Sequence, residues 1–380
     1  MAGPLTGVKV VELAGIGPGP FTAMLLSDLG AEVIRVDRAQ AVMPIDPDRP
    51  NAETMNRGRR SVGVDLKSPA GRETVLRLID RADAVIEGFR PGVTERLGVG
   101  PDVCLERNPR LVYGRMTGWG QDGPYASAAG HDINYIALAG SLAHIGRVGE
   151  KPTPPMNLVG DFGGGGMLLA FGIACGIIEA RTSGRGQVID AAMVDGAATL
   201  MSMIWSFRTM FGWGPRGTNM LDTGAPYYDT YETADGEYIS IGAIEPQFFA
   251  ELLRRLDIDP ASMPAQMDQA GHPQWRARFT ELFRTRTRAE WNGILEYSDA
   301  CYAPVLTMDE AMEHPHVRAR GTIIEVEGIA QPAPSPRFSR TPGAVSRPAA
   351  WPGQHTDEVL TDWGFTAAEV AELRSSGAVA

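Results

Sequence analysis

Along the first hundred residues short apolar runs alternate with amphipathic ones. VKVVELA (8–14) is β-rich, PFTAMLLSDLG (20–30) reads as a helix with Pro20 near its start and Gly30 past its end, and AEVIRVD (31–37) is β-rich again. A strand, a helix and a strand in that order predict a right-handed crossover and a parallel sheet. The alternation continues through SVGVDL (61–66), the helical SPAGRETVLRLIDRA (68–82), DAVIEGF (83–89) and RLVYGRM (110–116), giving an open α/β sheet with helices on both faces. The texture changes near residue 225. PYYDTYETADGEYISIGAI (226–244) holds two β-rich runs joined by Asp235 and Gly236, an antiparallel hairpin signal, and helical stretches follow near Pro246 to Leu256, Trp275 to Phe283 and Arg288 to Tyr297. A second, smaller α+β domain is expected there. Beyond residue 330 a Pro-rich stretch predicts an extended surface connection, and TAAEVAELRSSG (366–377) a last helix from a Thr cap to Gly377.

Composition narrows the function classes. At 380 residues the chain exceeds the usual single core, and 43% apolar with 21% charged residues is globular composition. A net charge of −11 argues against nucleic acid as partner, while leaving room for a local anion pocket. No secretory signal is apparent at the N-terminus, so the cytoplasm is the expected compartment. The longest apolar run, MLLAFGIACGIIEA (167–180), falls short of the roughly 20 residues a membrane span requires and is expected as a buried core helix. Cys104, Cys175 and Cys301 have no CxxC spacing and read as small buried hydrophobes. No metal-ligand set is visible, and His314-Pro315-His316 reads as exposed loop.

Candidate chemistry falls in four places. AGIGPGP (14–20) occupies the position of a dinucleotide-binding loop, but Pro20 stands where the third glycine belongs and Pro18 and Pro20 remove backbone donors, which favours a rigid strand-to-helix turn. Arg35, Arg38, Arg57, Arg59, Arg60, Lys67, Arg90 and Arg96 recur at strand ends and in the following loops, where guanidiniums could hold the phosphates of a cofactor or could equally be solvated charges. In LVGDFGGGGMLLAFG (158–172) Asp161 precedes four glycines. It reads either as a helix cap or as a carboxylate near unpaired amides where glycine lets a ligand approach. His131, beside Asp132, is either a structural residue at a helix start or a base. The methionines between Met193 and Met220 suit core packing or an adaptable apolar surface.

Taken together, VVELAGIGPGPFTAMLLSDLGAEVIRVDR, NRGRRSVGVDLKSPAGRE, GFRPGVTERLG, RMTGWGQDGPYASAAGHDINY, NLVGDFGGGGM and APYYDTYETADGEYISIGAIEPQFF resemble the family III coenzyme A transferase superfamily, and within it the α-methylacyl-CoA racemase branch. The resemblance implies a Rossmann-like large domain built from both chain ends, a smaller α+β domain between them, and an interlocked homodimer whose active sites lie between the large domain of one subunit and the small domain of the other. The expected partition is 1–200 for the first part of the large domain, 201–225 as linker, 226–325 for the small domain, and 326–380 as return and last part of the large domain. Transferases of the superfamily use an aspartate nucleophile that matches Asp161, and the racemases are similar to this chain in adding the histidine of GHDINY, His131. By the same resemblance Glu245 partners that histidine and Asn157 supports the site. Contacts to coenzyme A carry over to Arg38, to Val64, Asp65, Leu66 and Lys67, to Gly88, Phe89, Arg90, Pro91 and Gly92, to Arg96, and to Gly130, Asp132, Ile133, Asn134 and Tyr135.

The implied activity is interconversion of the R and S isomers of 2-methylacyl-CoA through an enolate. His131 is then the base facing the S isomer and Asp161 its counterpart on the R side. Enolate stabilisation is expected from amides near the start of the 161–180 helix. Coenzyme A enters as part of the substrate thioester, with no tightly bound cofactor and no membrane or nucleic-acid partner expected. The alternatives are CoA transfer through an Asp161 nucleophile and non-catalytic acyl-CoA binding.

Overall fold

The computed structural model describes residues 3–43 and 51–380. Contacts divide the chain into two compact units, one of Met1–Ala139, Pro155–Ser202 and Gly321–Ala380, the other of Gly140–Pro154 and Met203–Arg320. The first unit is built on six parallel strands, β1 (Lys9–Leu13), β2 (Glu32–Arg38), β3 (Arg60–Val64), β4 (Ala84–Glu87), β5 (Val112–Thr117) and β6 (Gln187–Ala192). They lie in the order β3-β2-β1-β4-β5-β6. Between and after them come the helices α1 (Pro18–Asp28), α2 (Pro69–Ile79), α3 (Val93–Leu97), α4 (Pro101–Arg107), α5 (Asp132–Leu138), a π-helix (Leu158–Met167), α6 (Leu168–Ser183) and α7 (Met193–Leu200).

Both faces of the sheet are covered, which is why its strands read as nearly unbroken apolar runs. Val11, Leu13, Ile34, Val36 and Val62 pack under α2 and two C-terminal helices, Thr356–Asp362 and Ala367–Ser375, through Val75, Leu78, Val359 and Val370. Val10, Val33, Ile86 and Val112 meet α1 and α6 through Ala23, Leu26, Leu169 and Ile173. Helix α1 begins two residues before the predicted Pro20, because Pro18 itself takes the first helical position, where its missing N–H is not needed. The last helix opens on a reciprocal cap between Thr366 and Glu369, as its sequence suggests.

The glycine run takes a form the sequence reading does not anticipate. Leu158–Met167 is a π-helix continuous with α6, so the helical segment spans Leu158–Ser183, 26 residues whose most apolar 18-residue stretch has a mean hydropathy of 1.6, longer than the predicted apolar run. That length and composition suffice to cross a membrane; here Leu169 and Ile173 pack over Gly114 of β5. The glycines serve close helix contact rather than ligand approach. A Cβ on Gly164 would lie 2.7 Å from the Ala197 amide, and one on Gly166 would meet the Pro18 carbonyl at 2.9 Å. Across that contact a Cβ on Gly196 of α7 would lie 1.8 Å from the Gly164 carbonyl oxygen. Gly196→Ala is therefore expected to cost about 3 kcal/mol, the upper end of ordinary overpacking, read as a lowered denaturation midpoint. Gly293→Ala is the control. Among the described residues a Cβ there meets nothing within 4 Å, and alanine in a helix should leave stability unchanged or raise it by about 0.5–1 kcal/mol.

The second unit carries a three-stranded antiparallel sheet, β7 (Tyr228–Glu232), β8 (Tyr238–Gly242) and β9 (Tyr302–Pro304), with the Asp235-Gly236 turn in place and Gly236 at φ +78°. Helices Pro246–Arg255, His272–Phe283 and Arg288–Leu295 bury Phe249, Trp275, Phe279, Phe283 and Trp291 against Tyr231, Ile239 and Ile241. Residues 140–154 group with this unit although the sequence places them in the first. Arg147 donates to Asp229 Oδ1 at 2.8 Å, and Arg216 to the Ala143 carbonyl at 2.9 Å. Residues 203–225, all expected as linker, also belong to it. Of the cysteines only Cys104 is buried; Cys175 is exposed on α6 and Cys301 half-buried, and none is bonded to another. The 314–316 segment is not loop. It joins two short helices, and His314 Nε2 contacts Glu296 Oε1 at 2.9 Å.

Candidate active site

The strand order reverses between β1 and β4, and ligands of such sheets bind beyond the carboxyl ends at that point. A cleft of about 790 Å³ opens there. Its walls are the loop after β1 (Gly15 to Gly17) with the start of α1, the loop after β4 (Gly88 to Pro91), the end of β5 with Trp119, the entry to α5, and the first turn of the π-helix. All of its lining residues belong to the first unit. AGIGPGP therefore lines a ligand cleft without being a dinucleotide loop: Gly17 at φ +68° turns the chain into Pro18, and a Cβ on it would come within 3.4 Å of Asp161 Oδ2.

His131, Asn157 and Asp161 all line this cleft. His131 stands immediately before α5 and its side chain is exposed; its N–H donates to Asn134 Oδ1 at 3.1 Å, which holds the helix entry. Asp161 is inside the first turn of the π-helix, not at its cap, which is Asn157. The Asn157 Nδ2 amide donates to Asp161 Oδ2 at 3.0 Å. Asp132, next to His131, is 5% exposed, and its Oδ1 accepts the Asp161 N–H at 2.7 Å. The Asp161 carboxyl titrates above the usual aspartate range. Burial is the leading cause, the Asn157 amide opposes it, the Asp132 charge reinforces it, and an imidazolium at His131 would lower it. Burial chiefly, with the nearby Asp161 charge, likewise raises the Tyr135 phenol, whose O–H donates to the Gly130 carbonyl. A carboxyl pushed up from the usual aspartate range and an exposed imidazole thus share one cleft. Among the described residues no group of histidine, cysteine or carboxylate side chains is placed to hold a metal ion.

The basic residues separate into two sets. Arg59 is fully buried against Glu12, Arg57 is buried against Asp28 at 2.6 Å, Arg35 binds Asp37 at 2.7 Å, and Arg60 is bound by Glu32, Glu358 and Asp362. These four hold the fold and are not available for phosphate. Arg38, Lys67, Arg90 and Arg96 are exposed and, among the described residues, form no ion pair. Of the coenzyme A positions carried over by resemblance, Gly88, Phe89, Arg90, Pro91, Gly130, Asn134 and Tyr135 line the cleft. Arg38, Val64, Asp65, Leu66, Lys67, Gly92, Arg96, Asp132 and Ile133 do not. Val64 is turned into the core and Leu66 packs against it, while Asp65 Oδ1 accepts the Lys67 N–H at 3.0 Å.

Glu245 belongs to the second unit, immediately before helix Pro246–Arg255, exposed and with a carboxylate that accepts no hydrogen bond among the described residues. The amide of Asp161, expected to be free for an enolate oxygen, is taken by Asp132. Trp119 and Phe162 line the cleft without having been singled out for it, and Met193, first of the methionines read as core packing or an adaptable apolar surface, lines it too. Trp119 follows β5 and Met193 follows β6, so strand-end position is the signal that finds them; Met220 packs instead on the core of the second unit.

The sequence profile of CoA-transferase family III matches residues 5–356. The chain is 47% identical to an alpha-methylacyl-CoA racemase of Mus musculus and 44% identical to one of Homo sapiens, each match covering 98% of this chain and 96% of the relative. A CAIB/BAIF family protein from Brucella suis has a crystal structure that superposes with a TM-score of 0.83 at 26% identity, over 96% of this chain and 100% of that one.

Proposed function

We propose that this chain, which belongs to CoA-transferase family III, is an α-methylacyl-CoA racemase, interconverting the R and S isomers of 2-methylacyl-CoA thioesters. Inverting a carbon beside a thioester carbonyl requires a proton to leave one face and another to arrive on the opposite face. The observation that carries the reading is that His131 and Asp161 line a single cleft, one an exposed imidazole and the other a carboxyl that burial pushes up from the usual aspartate range. His131 is the base for the S isomer and Asp161 for the R isomer, with acid and base exchanged in the reverse direction. Asn157 holds the Asp161 carboxyl in place.

Removal of the α-proton builds negative charge on the thioester oxygen. Arg90 on the cleft wall, with Arg38 at the end of β2, Lys67 in the loop after β3 and Arg96 on α3, supplies the positive charge that coenzyme A phosphates require. Coenzyme A is substrate here, with no resident cofactor in the scheme. Glu245 is assigned to a second copy of the chain, whose small unit closes over the cleft of the first in an interlocked homodimer; this part rests on the family resemblance.

The competing reading is CoA transfer through Asp161. Incubating the protein with a single enantiomer of a 2-methylacyl-CoA and no free acid separates the two. A racemase loses optical purity under those conditions. A transferase leaves the enantiomer intact, needs a free-acid acceptor, and forms an acyl adduct on Asp161.

A further inference from the structure

Asp132 is a buried carboxylate for which the two-base scheme has no use. It is 5% exposed on a helix of seven residues, its Oδ1 accepts the Asp161 N–H at 2.7 Å, and its Oδ2 is buried with no hydrogen-bond partner among the described residues. The space it fills is shaped for it: a Cβ on Gly160 would lie 2.4 Å from Asp132 Oδ1, so only glycine lets this carboxylate reach the next amide. An unneutralised carboxylate oxygen out of water is costly unless it serves something.

Resting on the racemase reading above, we propose that Asp132 is a positioning residue that fixes the Asp161 backbone through its Oδ1 and supplies the negative charge against which Asp161 takes up and releases its proton. Among the described residues the other charged groups near Asp161 are few. Helix α5 brings His131 and Tyr135, the loop after β4 brings Arg90, α1 carries Asp28 only at its far end, and Asp195 of α7 is exposed to solvent. Asp132 is the buried carboxylate among them. With its charge in place Asp161 stays a competent acid when the reaction runs from the S isomer; without it Asp161 ionises at lower pH.

Asp132→Asn keeps an oxygen for the Asp161 amide and removes the charge, whereas Asp132→Ala removes both. The alanine variant is expected to lower kcat about 10²-fold through misplacement of Asp161, and the asparagine variant to recover most of that loss. Recovery with an unaltered pH profile would leave a structural role alone, so the profile decides. In Asp132→Asn the acid limb of kcat/KM is expected to move to lower pH. It must do so equally in both directions, because the two enantiomers interconvert with an equilibrium constant near one.

The direct reading is titration of the Asp161 carboxyl in protein carrying ¹³C-carboxyl aspartate, with the signal assigned by its loss in Asp161→Asn. A downward shift in Asp132→Asn supports the inference, and an unchanged titration overturns it. Asp132→Ser removes the same charge with a smaller side chain and gives the same reading should the buried amide prevent folding. The titration needs no turnover. A wild-type protein that exchanges no α-hydrogen therefore sinks the racemase reading alone, while the carboxyl signal still decides whether Asp132 governs Asp161.

Discussion

His131→Ala and Asp161→Asn are expected each to abolish racemisation while failing on opposite enantiomers. Without His131 the S isomer has no base and should neither lose its α-hydrogen nor invert. The R isomer still meets Asp161, so it should exchange its α-hydrogen with solvent and retain configuration. Asp161→Asn reverses the pattern. The lost half-reaction should slow by about 10²- to 10⁴-fold, the usual contribution of one positioned acid or base, and chiral chromatography with mass spectrometry on each enantiomer reads both losses. A one-base mechanism would instead show one variant inactive on both enantiomers and the other nearly unaffected. The raised Asp161 carboxyl also fixes the sign of the pH response. The productive state carries one proton shared between the pair, so activity falls on the acid side when the pair takes up a second proton and on the basic side when it loses the first.

The second large effect lies away from the chemistry. Arg59 is 0% exposed and held by Glu12 on β1, with Asn56 Oδ1 accepting at 2.9 Å and the Met55 carbonyl accepting as well. Burial pushes the guanidinium below its usual range, and the Glu12 charge works against that. Glu12→Ala strands the cation in the sheet face, which should cost about 3–5 kcal/mol, whereas replacing both partners by apolar residues of similar volume should cost far less. Denaturant unfolding of Glu12→Ala, of Arg59→Met and of the pair Glu12→Leu with Arg59→Met checks this through non-additivity. The same comparison shows why NRGRRS does not read correctly from sequence. A guanidinium meant for a carboxylate 47 residues away looks the same in one dimension as one meant for phosphate.

What was legible followed from local periodicity. The β-rich runs, the proline at the start of α1, the Asp235-Gly236 turn and the Thr366 cap each express a backbone preference within a few residues, and all appear in the structure. The π-helix was not legible, because four glycines in a row announce only freedom; that the freedom is spent on Ala197, Gly196 and Pro18 is a fact about distant chain segments. Residues 140–154 were misplaced for the same reason, since Arg147 finds Asp229 across 82 positions. His131 and Asp161 stood out in the sequence, but Asp132 as the link between them did not. Its role depends on a gap left by Gly160 and on the amide one residue beyond it.

The pairing of imidazole and carboxyl across one stereocentre is tested most directly by incubating each pure enantiomer of a 2-methylacyl-CoA with the protein in deuterium oxide, following label uptake at the α-carbon together with optical purity. Both enantiomers should take up deuterium and drift to the same racemic mixture at matched rates. Stable optical purity with no label in either enantiomer would contradict it.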